Sequence, residues 1–288
     1  MRADAIALFG KVERASYFER VAPELHVERP PPWPEPSVVD PSAARETLAV
    51  DGWFSVDSVL RDDEVAALAN AIERLEADHV PALFVFAYDE AWLAVERIRR
   101  AVAAIIDAPC AVVADVWAWR IAPTKGARGW VPHRGTYVDN RVGGKPSLIN
   151  AWIALSDVTV ETACMHVLPA SRDPNFGGDL RSTHHNALDA LALPARPGNL
   201  LGWSSNLLHW GGAMSPTASR ARLSLSVTLS CSAAVDALAQ DAQPTLRERL
   251  DLIADLADAY GYLETSAFDA TREWARVTRT TRALGSRR

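Results

Sequence analysis

The 288-residue sequence predicts a mainly β fold with flanking helices, an antiparallel sandwich or barrel buttressed by helical segments. Three observations carry this. Apolar residues recur at helical spacing from Val65 to Ile105, from Ala111 they gather in short runs rich in β-branched and aromatic residues, and from Leu246 helical spacing returns. With 49% apolar residues the chain can bury a sizeable core and lies near the upper size of a single β-rich domain. One catalytic domain is therefore expected over residues 49–232, with an N-terminal extension (1–48) and a C-terminal helical extension (233–288) of the same domain.

In chain order, residues 1–48 read as a preamble. Its stretch Arg29-Pro30-Pro31-Pro32-Trp33-Pro34-Glu35-Pro36 cannot enter a helix interior or a central strand and is expected to wrap the surface in extended form. Asp51-Gly52-Trp53-Phe54 introduces a short strand. Asp62 is placed to cap a helix whose Val65, Leu68, Ile72 and Leu75 share one face, and a second helix from Asp89 carries Val95, Ile98, Val102 and Ile105. Strands are expected at Ala111–Ile121, Ser147–Leu155, Cys164–Leu168, Asn199–Trp203 and Arg222–Ser230, separated by Gly, Pro and Asp turn signals. The stripe Leu246, Leu250, Ile253, Leu256 and Tyr260 predicts a helix stopping at Gly261, with another around Thr271–Leu284.

Charge and cysteine content narrow the class. A net charge of −6 opposes binding to a nucleic-acid polymer. The exception is local: between Trp117 and Lys145, Arg120, Lys125, Arg128, Arg134, Arg141 and Lys145 face only Asp139, and such a segment suits either a solvated face or a pocket for small anions. The short apolar run Ala5–Leu8, flanked by Arg2, Asp4 and Lys11, has the length of neither a signal peptide nor a membrane span, so a cytoplasmic protein without membrane contact is expected. Cys110, Cys164 and Cys231 are odd in number and scattered, which argues against a disulfide framework or zinc ribbon and for buried apolar fillers.

Several pieces then occur in one order. Asp51-Gly52-Trp53-Phe54 and a helix are followed by Pro132-His133, by Asn150-Ala151-Trp152-Ile153-Ala154-Leu155-Ser156-Asp157, and by Met165-His166-Val167-Leu168-Pro169-Ala170-Ser171-Arg172. Pro197-Gly198 through Trp203, His209, and Arg220 or Arg222 complete the set. From about residue 50 to 232 this order resembles the phytanoyl-CoA dioxygenase family of iron(II)- and 2-oxoglutarate-dependent oxygenases. The resemblance implies a double-stranded β-helix (a cupin-like jelly roll) with Fe(II) in its mouth, 2-oxoglutarate chelating the metal, and O2 as the oxidant.

By that resemblance His133 and His209 are the metal ligands, and neutral imidazoles suit iron(II). His166, His184 and His185 are not expected to be ligands. Where the family places its acid, two residues after the first histidine, this chain has Gly135, which leaves an extra coordination position that a halide can take. His133-Arg134-Gly135 resembles the signature of the halogenating branch, in which a substrate radical collects chloride instead of hydroxyl. Alternatives are a hydroxylase with water at that position, an inactive binding homologue, or an acid drawn from elsewhere, Asp139 and Asp157 being nearest.

The distal carboxylate of 2-oxoglutarate needs a cation, and Arg220 and Arg222, 11 and 13 residues after His209, both qualify, with Arg222 favoured because it abuts the alternating run Leu223–Val227. Trp152 is a candidate cofactor contact, though such a residue is more often core. Trp119, Trp130, Tyr137 and Trp210 could wall a flat substrate, and Arg134 is expected in an ion pair behind the site or on a substrate anion. The expected substrate is a free, anionic small molecule, with a nucleotide such as deoxyadenosine monophosphate as one candidate, and no carrier-protein docking motif is evident.

Overall fold

The computed structural model describes residues 3–32, 40–232, 243–260, 271–276 and 278. In chain order the elements are α1 (Ala3–Val12), α2 (Ala15–Val21), α3 (Ser42–Asp51), β1 (Trp53–Val56), α4 (Asp62–Ala77), a 3-10 helix (Ala82–Ala87) and α5 (Asp89–Ile106). Then come β2 (Cys110–Ile121), β3 (Arg141–Val142), β4 (Lys145–Pro146), β5 (Leu148–Ala154), β6 (Met165–Val167), β7 (Leu191–Leu193), β8 (Leu200–Ser204), β9 (His209–Gly211), β10 (Arg222–Cys231) and α6 (Leu246–Ala259). The chain divides into two compact units, one of Met1–Trp33, Ala67–Leu93 and Ala242–Arg288 and one of Pro34–Ala66 and Ala94–Asp241.

The second unit is the jelly roll. Five antiparallel strands in the order β1-β8-β5-β10-β2 make one wall and β7-β6-β9 the other. Residues 128–133 run beside β9 through the isolated bridges Arg128↔Ala213 and His133↔His209, so they prolong the smaller wall. Side chains alternate across each strand, so register decides what enters the barrel. Trp203, Asn150 and Thr228 lie in one cross-strand row, and Leu201, Trp152, Ser226 and Trp117 in the next. The two walls close on one apolar cluster in which Trp152, Leu201 and Trp203 meet Met165, Val167 and Leu193.

The first unit is helical. Phe18 packs edge-on between Tyr17 and Tyr88, at 5.2 and 5.6 Å. Burial pushes both tyrosine hydroxyls above their ordinary range. A fully buried ion pair joins Asp89 to Arg249 at 2.6 Å, and Trp274, completely buried, meets Phe84 at 5.1 Å. Thr245 and Glu248 cap α6 reciprocally, the Thr245 hydroxyl accepting from the Glu248 amide and the Glu248 carboxylate from the Thr245 amide.

Two readings are revised here. No helix or strand is read from the sequence within residues 1–48, and α1, α2 and the start of α3 lie there. α3 buries only Ala44 and Leu48 and so shows a faint apolar stripe; its stop is Gly52, at φ 77° with its N–H on Leu48 O, a left-handed position suited to glycine. The cysteines are not all fillers either. Cys110 and Cys231 face each other in the β2–β10 register and form a disulfide, while Cys164 alone is free and buried. Sequence spacing concealed this pair, which is 121 residues apart. Residues 33–36 of the proline-rich stretch, Gly261, and residues 277 and 279–284 of the last expected helix lie outside the described residues; 271–276 and 278 are helical.

Candidate active site

His133 and His209 are direct cross-strand neighbours. Each donates its backbone N–H to the other's carbonyl, at 3.1 and 3.0 Å, and their rings lie 4.2 Å apart between centroids. Nδ1 of His133 sits 2.8 Å from the Val131 carbonyl, and Nδ1 of His209 sits 2.9 Å from the Leu207 carbonyl. A carbonyl can only accept, so each Nδ1 carries the proton and each Nε2 keeps its lone pair. Burial holds His133 below the ordinary imidazole value and His209 well below it, so both rings are neutral near pH 7. Two neutral imidazoles, each oriented by a carbonyl behind it, are a donor pair that fits iron(II).

Arg222 opens β10 and projects into the same cavity, only 2% exposed. Its Nη1 donates to the Ala163 carbonyl, its Nε has no hydrogen-bond partner, and no carboxylate pairs with it among the described residues. Desolvation lowers its pKa to about 10, still far above neutrality. A buried guanidinium without a counter-charge is costly unless an anion joins it, which fits the distal carboxylate of 2-oxoglutarate. The indole of Trp152 lies 5.8 Å from this guanidinium and lines the cavity, so Trp152 belongs both to the core and to the pocket. Of the two candidate arginines Arg222 lines the cavity, and Arg220 is exposed and does not.

Position 135 holds a surprise. A β-carbon built on Gly135 would run into Ser205 Oγ and come within 3.2 Å of both Asn150 Nδ2 and the Ser205 carbonyl. The Ser205 backbone is fixed, its N–H donating to Leu148 O at 2.9 Å and its carbonyl accepting from Thr136 N–H at 3.1 Å. No group of three or more acidic, histidine or cysteine side chains that could hold a metal ion occurs among the described residues. Asp139 is exposed and ion-paired with Arg141 at 2.9 Å, and Asp157 is exposed, so neither replaces the acid.

The remaining candidates sort by where they point. Arg134 is buried, paired with Asp173 at 2.8 Å with both side chains fully enclosed, and it also donates to Asn206 O and Ser182 O. Of its two expected uses the geometry shows the ion pair, and the substrate contact is withdrawn. Tyr137 is half exposed under Arg181 and does not line the cavity, which corrects its assignment to the substrate wall. Trp119 does line it, stacked on Trp117 at 5.7 Å, and both indoles meet Trp130 edge-on. Trp210 does not; its ring contacts are with His166 and His185, and none of the three lines the cavity.

Asp115, Ser205 and Thr228 were not singled out by sequence reasoning, and Asn150 was quoted only as part of a motif, with no role; a lone polar residue in or beside a strand-like run gives no local signal. None of Arg120, Lys125, Arg128, Arg134, Arg141 and Lys145 lines the cavity. Of the two grounds for expecting an anionic substrate, the basic segment and the aromatic residues near the metal strands, only the aromatic residues lie at the cavity.

A family model described as phytanoyl-CoA dioxygenase (PhyH) matches residues 78–221, half of the sequence. The chain belongs to the phytanoyl-CoA dioxygenase family. It is therefore an enzyme of the iron(II)/2-oxoglutarate-dependent oxygenase superfamily. Among solved structures, AviO1 from Streptomyces viridochromogenes Tue57 is similar with TM-score 0.53 and 18% identity over 73% of this chain and 99% of that one. The non-heme alpha ketoglutarate dependent epimerase SnoN from nogalamycin biosynthesis is similar with TM-score 0.51 and 20% identity over 66% and 82%. HygX from Streptomyces hygroscopicus, solved with nickel and 2-oxoglutarate bound, has TM-score 0.50 and 19% identity over 65% and 86%. At these identities the likeness is one of fold, and it establishes the jelly roll. No curated protein sequence matches the chain. No helix among the described residues is long and apolar enough to cross a membrane.

Proposed function

We propose that this family member is a halogenase, replacing hydrogen by chloride on an unactivated aliphatic carbon of a free small molecule. The observation that carries the reading is Gly135 with its surroundings. Where relatives carry a carboxylate, this chain has no side chain; the Ser205 hydroxyl and the Asn150 amide, both able to donate hydrogen bonds, crowd that position. Donors there suit a halide, which accepts hydrogen bonds, and the Ser205 hydroxyl would have to move aside for a β-carbon at position 135.

His133 and His209 would hold the metal and Arg222 the far end of 2-oxoglutarate. Iron(II) with 2-oxoglutarate and O2 would supply hydrogen-atom abstraction from carbon, and chloride would supply the replacing atom. The protein's own contribution is orientation and exclusion of water. The carbonyls of Val131 and Leu207 fix the imidazole tautomers, and the Trp117, Trp119, Trp130, Trp152 and Trp203 indoles wall the cavity.

The test is product mass under chloride, bromide and halide-free buffer, with candidate substrates screened by succinate release. Chlorinated and brominated products that follow the halide support the reading, as does anomalous bromide density beside Gly135 in an anaerobic crystal. Oxygenated product at full rate without halide would assign a hydroxylase.

A further inference from the structure

The Arg222 guanidinium has an oxidisable neighbour. A β-carbon on Gly129 would lie 3.2 Å from its Nη2 and one on Gly211 3.3 Å from its Nη1, so both glycines leave room for it. The Trp152 ring stands 5.8 Å away, and Nη1 donates to the Ala163 carbonyl. The same Nη1 reaches the thioether sulfur of Met165 at 3.9 Å, a weak contact because sulfur is a poor acceptor. Nε has no partner among the described residues. Met165 opens β6, faces Gly211 across to β9, and lines the cavity together with Arg222.

A peroxide converts a thioether into a sulfoxide. A sulfur lone pair takes one oxygen of hydrogen peroxide, the S–O bond forming as the O–O bond breaks. The hydroxide released removes the proton from the new S–OH group and leaves as water, so sulfur gives up the two electrons that the peroxide gains. The product carries a strongly polar oxygen on a flexible side chain. Attached to a sulfur 3.9 Å from Nη1, that oxygen can turn to within ordinary hydrogen-bonding distance of the guanidinium. It then takes a donor that a carboxylate would use and adds bulk in the same place. The other described sulfurs are set apart: Met214 and Cys164 are buried and do not line the cavity, and Cys110 and Cys231 are joined to each other.

We propose that Met165 is a peroxide-sensitive modification site whose sulfoxide oxygen occupies the Arg222 donors and so shuts out the anionic co-substrate. This rests on reading Arg222 as the seat of the distal carboxylate of 2-oxoglutarate and names a regulation of that seat.

The experiment treats the full-length, metal-free protein with hydrogen peroxide at a concentration that oxidises free methionine, removes the peroxide with catalase, and maps the peptides by mass. The peptide carrying Met165 should gain one oxygen. Iron(II) and 2-oxoglutarate are then titrated anaerobically, before and after treatment, by the metal-to-ligand absorption band. The affinity for 2-oxoglutarate should fall about ten-fold or more in the parent, and by less than about two-fold in Met165→Leu, each protein serving as its own reference. A crystal of the treated, cofactor-free protein should show the sulfoxide oxygen on an Arg222 nitrogen. An unmodified Met165, an affinity unchanged by its oxidation, an equal loss in Met165→Leu, or a sulfoxide oxygen turned away from Arg222 would each overturn the proposal. Where the variant does not fold, the weakly binding fraction of partly oxidised parent must match its fraction of oxidised Met165, or the proposal fails. Failure of 2-oxoglutarate to bind the untreated protein would refute the cofactor reading instead, and the mass map and the crystal would still decide the modification and its contact with Arg222.

Discussion

The Ser205 hydroxyl stands where a side chain on residue 135 would have to begin. Gly135 itself is exposed, and a side chain there would have to displace that hydroxyl. Gly135→Asp alone is expected to abolish halogenated product and to destabilise the fold by about 1–3 kcal/mol through overpacking. Adding Ser205→Ala removes the obstructing oxygen and should recover most of the melting temperature, with oxygenated product replacing chlorinated product. Differential scanning fluorimetry and product mass report the two effects independently. Persisting chlorination in Gly135→Asp would contradict the model.

Arg222 is buried with no counter-charge among the described residues, so the forms with and without 2-oxoglutarate should respond oppositely to its substitution. Arg222→Met should weaken 2-oxoglutarate about 10- to 100-fold, in line with ~1.5–3 kcal/mol for hydrogen bonds to a charged group. Without 2-oxoglutarate the same variant should melt no lower than the parent, because an unpaired interior charge is gone. Arg220→Met, at an exposed position, should change neither. Anaerobic titration of the metal-to-ligand absorption band measures the first effect, and thermal melts measure the second.

How far these residues were legible in the sequence depends on how local their signals are. His133, Gly135, His209 and Arg222 occur in an ordered set of motifs, and the structure brings His133, His209 and Arg222 to one cavity, with Gly135 two residues from His133. The longer strands, β2, β5, β8 and β10, and the helices α4, α5 and α6 lie where the apolar period puts them. Three-residue strands such as β7 and β9 are too short to show a period, and α3 buries too little to show a stripe. The Cys110–Cys231 pairing and the approach of Ser205 to Gly135 depend on register between distant strands, which no local window contains. The basic segment misled because its sign was visible but its direction was not. Arg141 and Lys145 turn outward to Asp139 and Asp107, and Arg134 inward to Asp173.

Acid should loosen the unloaded protein through its two facing histidines. His133 and His209 titrate below the ordinary value of 6.5 when folded, because burial disfavours the imidazolium. The unfolded chain therefore binds more protons once pH falls through about 6.5, and the stability that the neutral rings contribute, complete above that, is lost on acidification toward the folded values. Melting temperature should fall between about pH 7 and pH 5, and the His133→Asn/His209→Asn double variant should show a shallower slope. An unchanged slope in that variant would place the acid sensitivity elsewhere.

The enclosed Arg134–Asp173 pair ties the His133–Gly135 segment to the chain beyond β6. Asp173→Asn strands a buried guanidinium and should cost about 3–5 kcal/mol in urea unfolding. Replacing both partners, as Arg134→Met with Asp173→Leu, should cost less than Asp173→Asn alone. Iron affinity should fall in the single variant even where the fold survives, since His133 adjoins Arg134.

The mutual hydrogen bonds of His133 and His209 have a mechanical meaning. Residues 128–133 join β9 through scattered bridges, not a full ladder, so this is a seam in the barrel. A cation held by both imidazoles would fasten that seam from within. Such an ion would then also be a clasp, and loading it would stiffen the junction between residues 128–133 and β9.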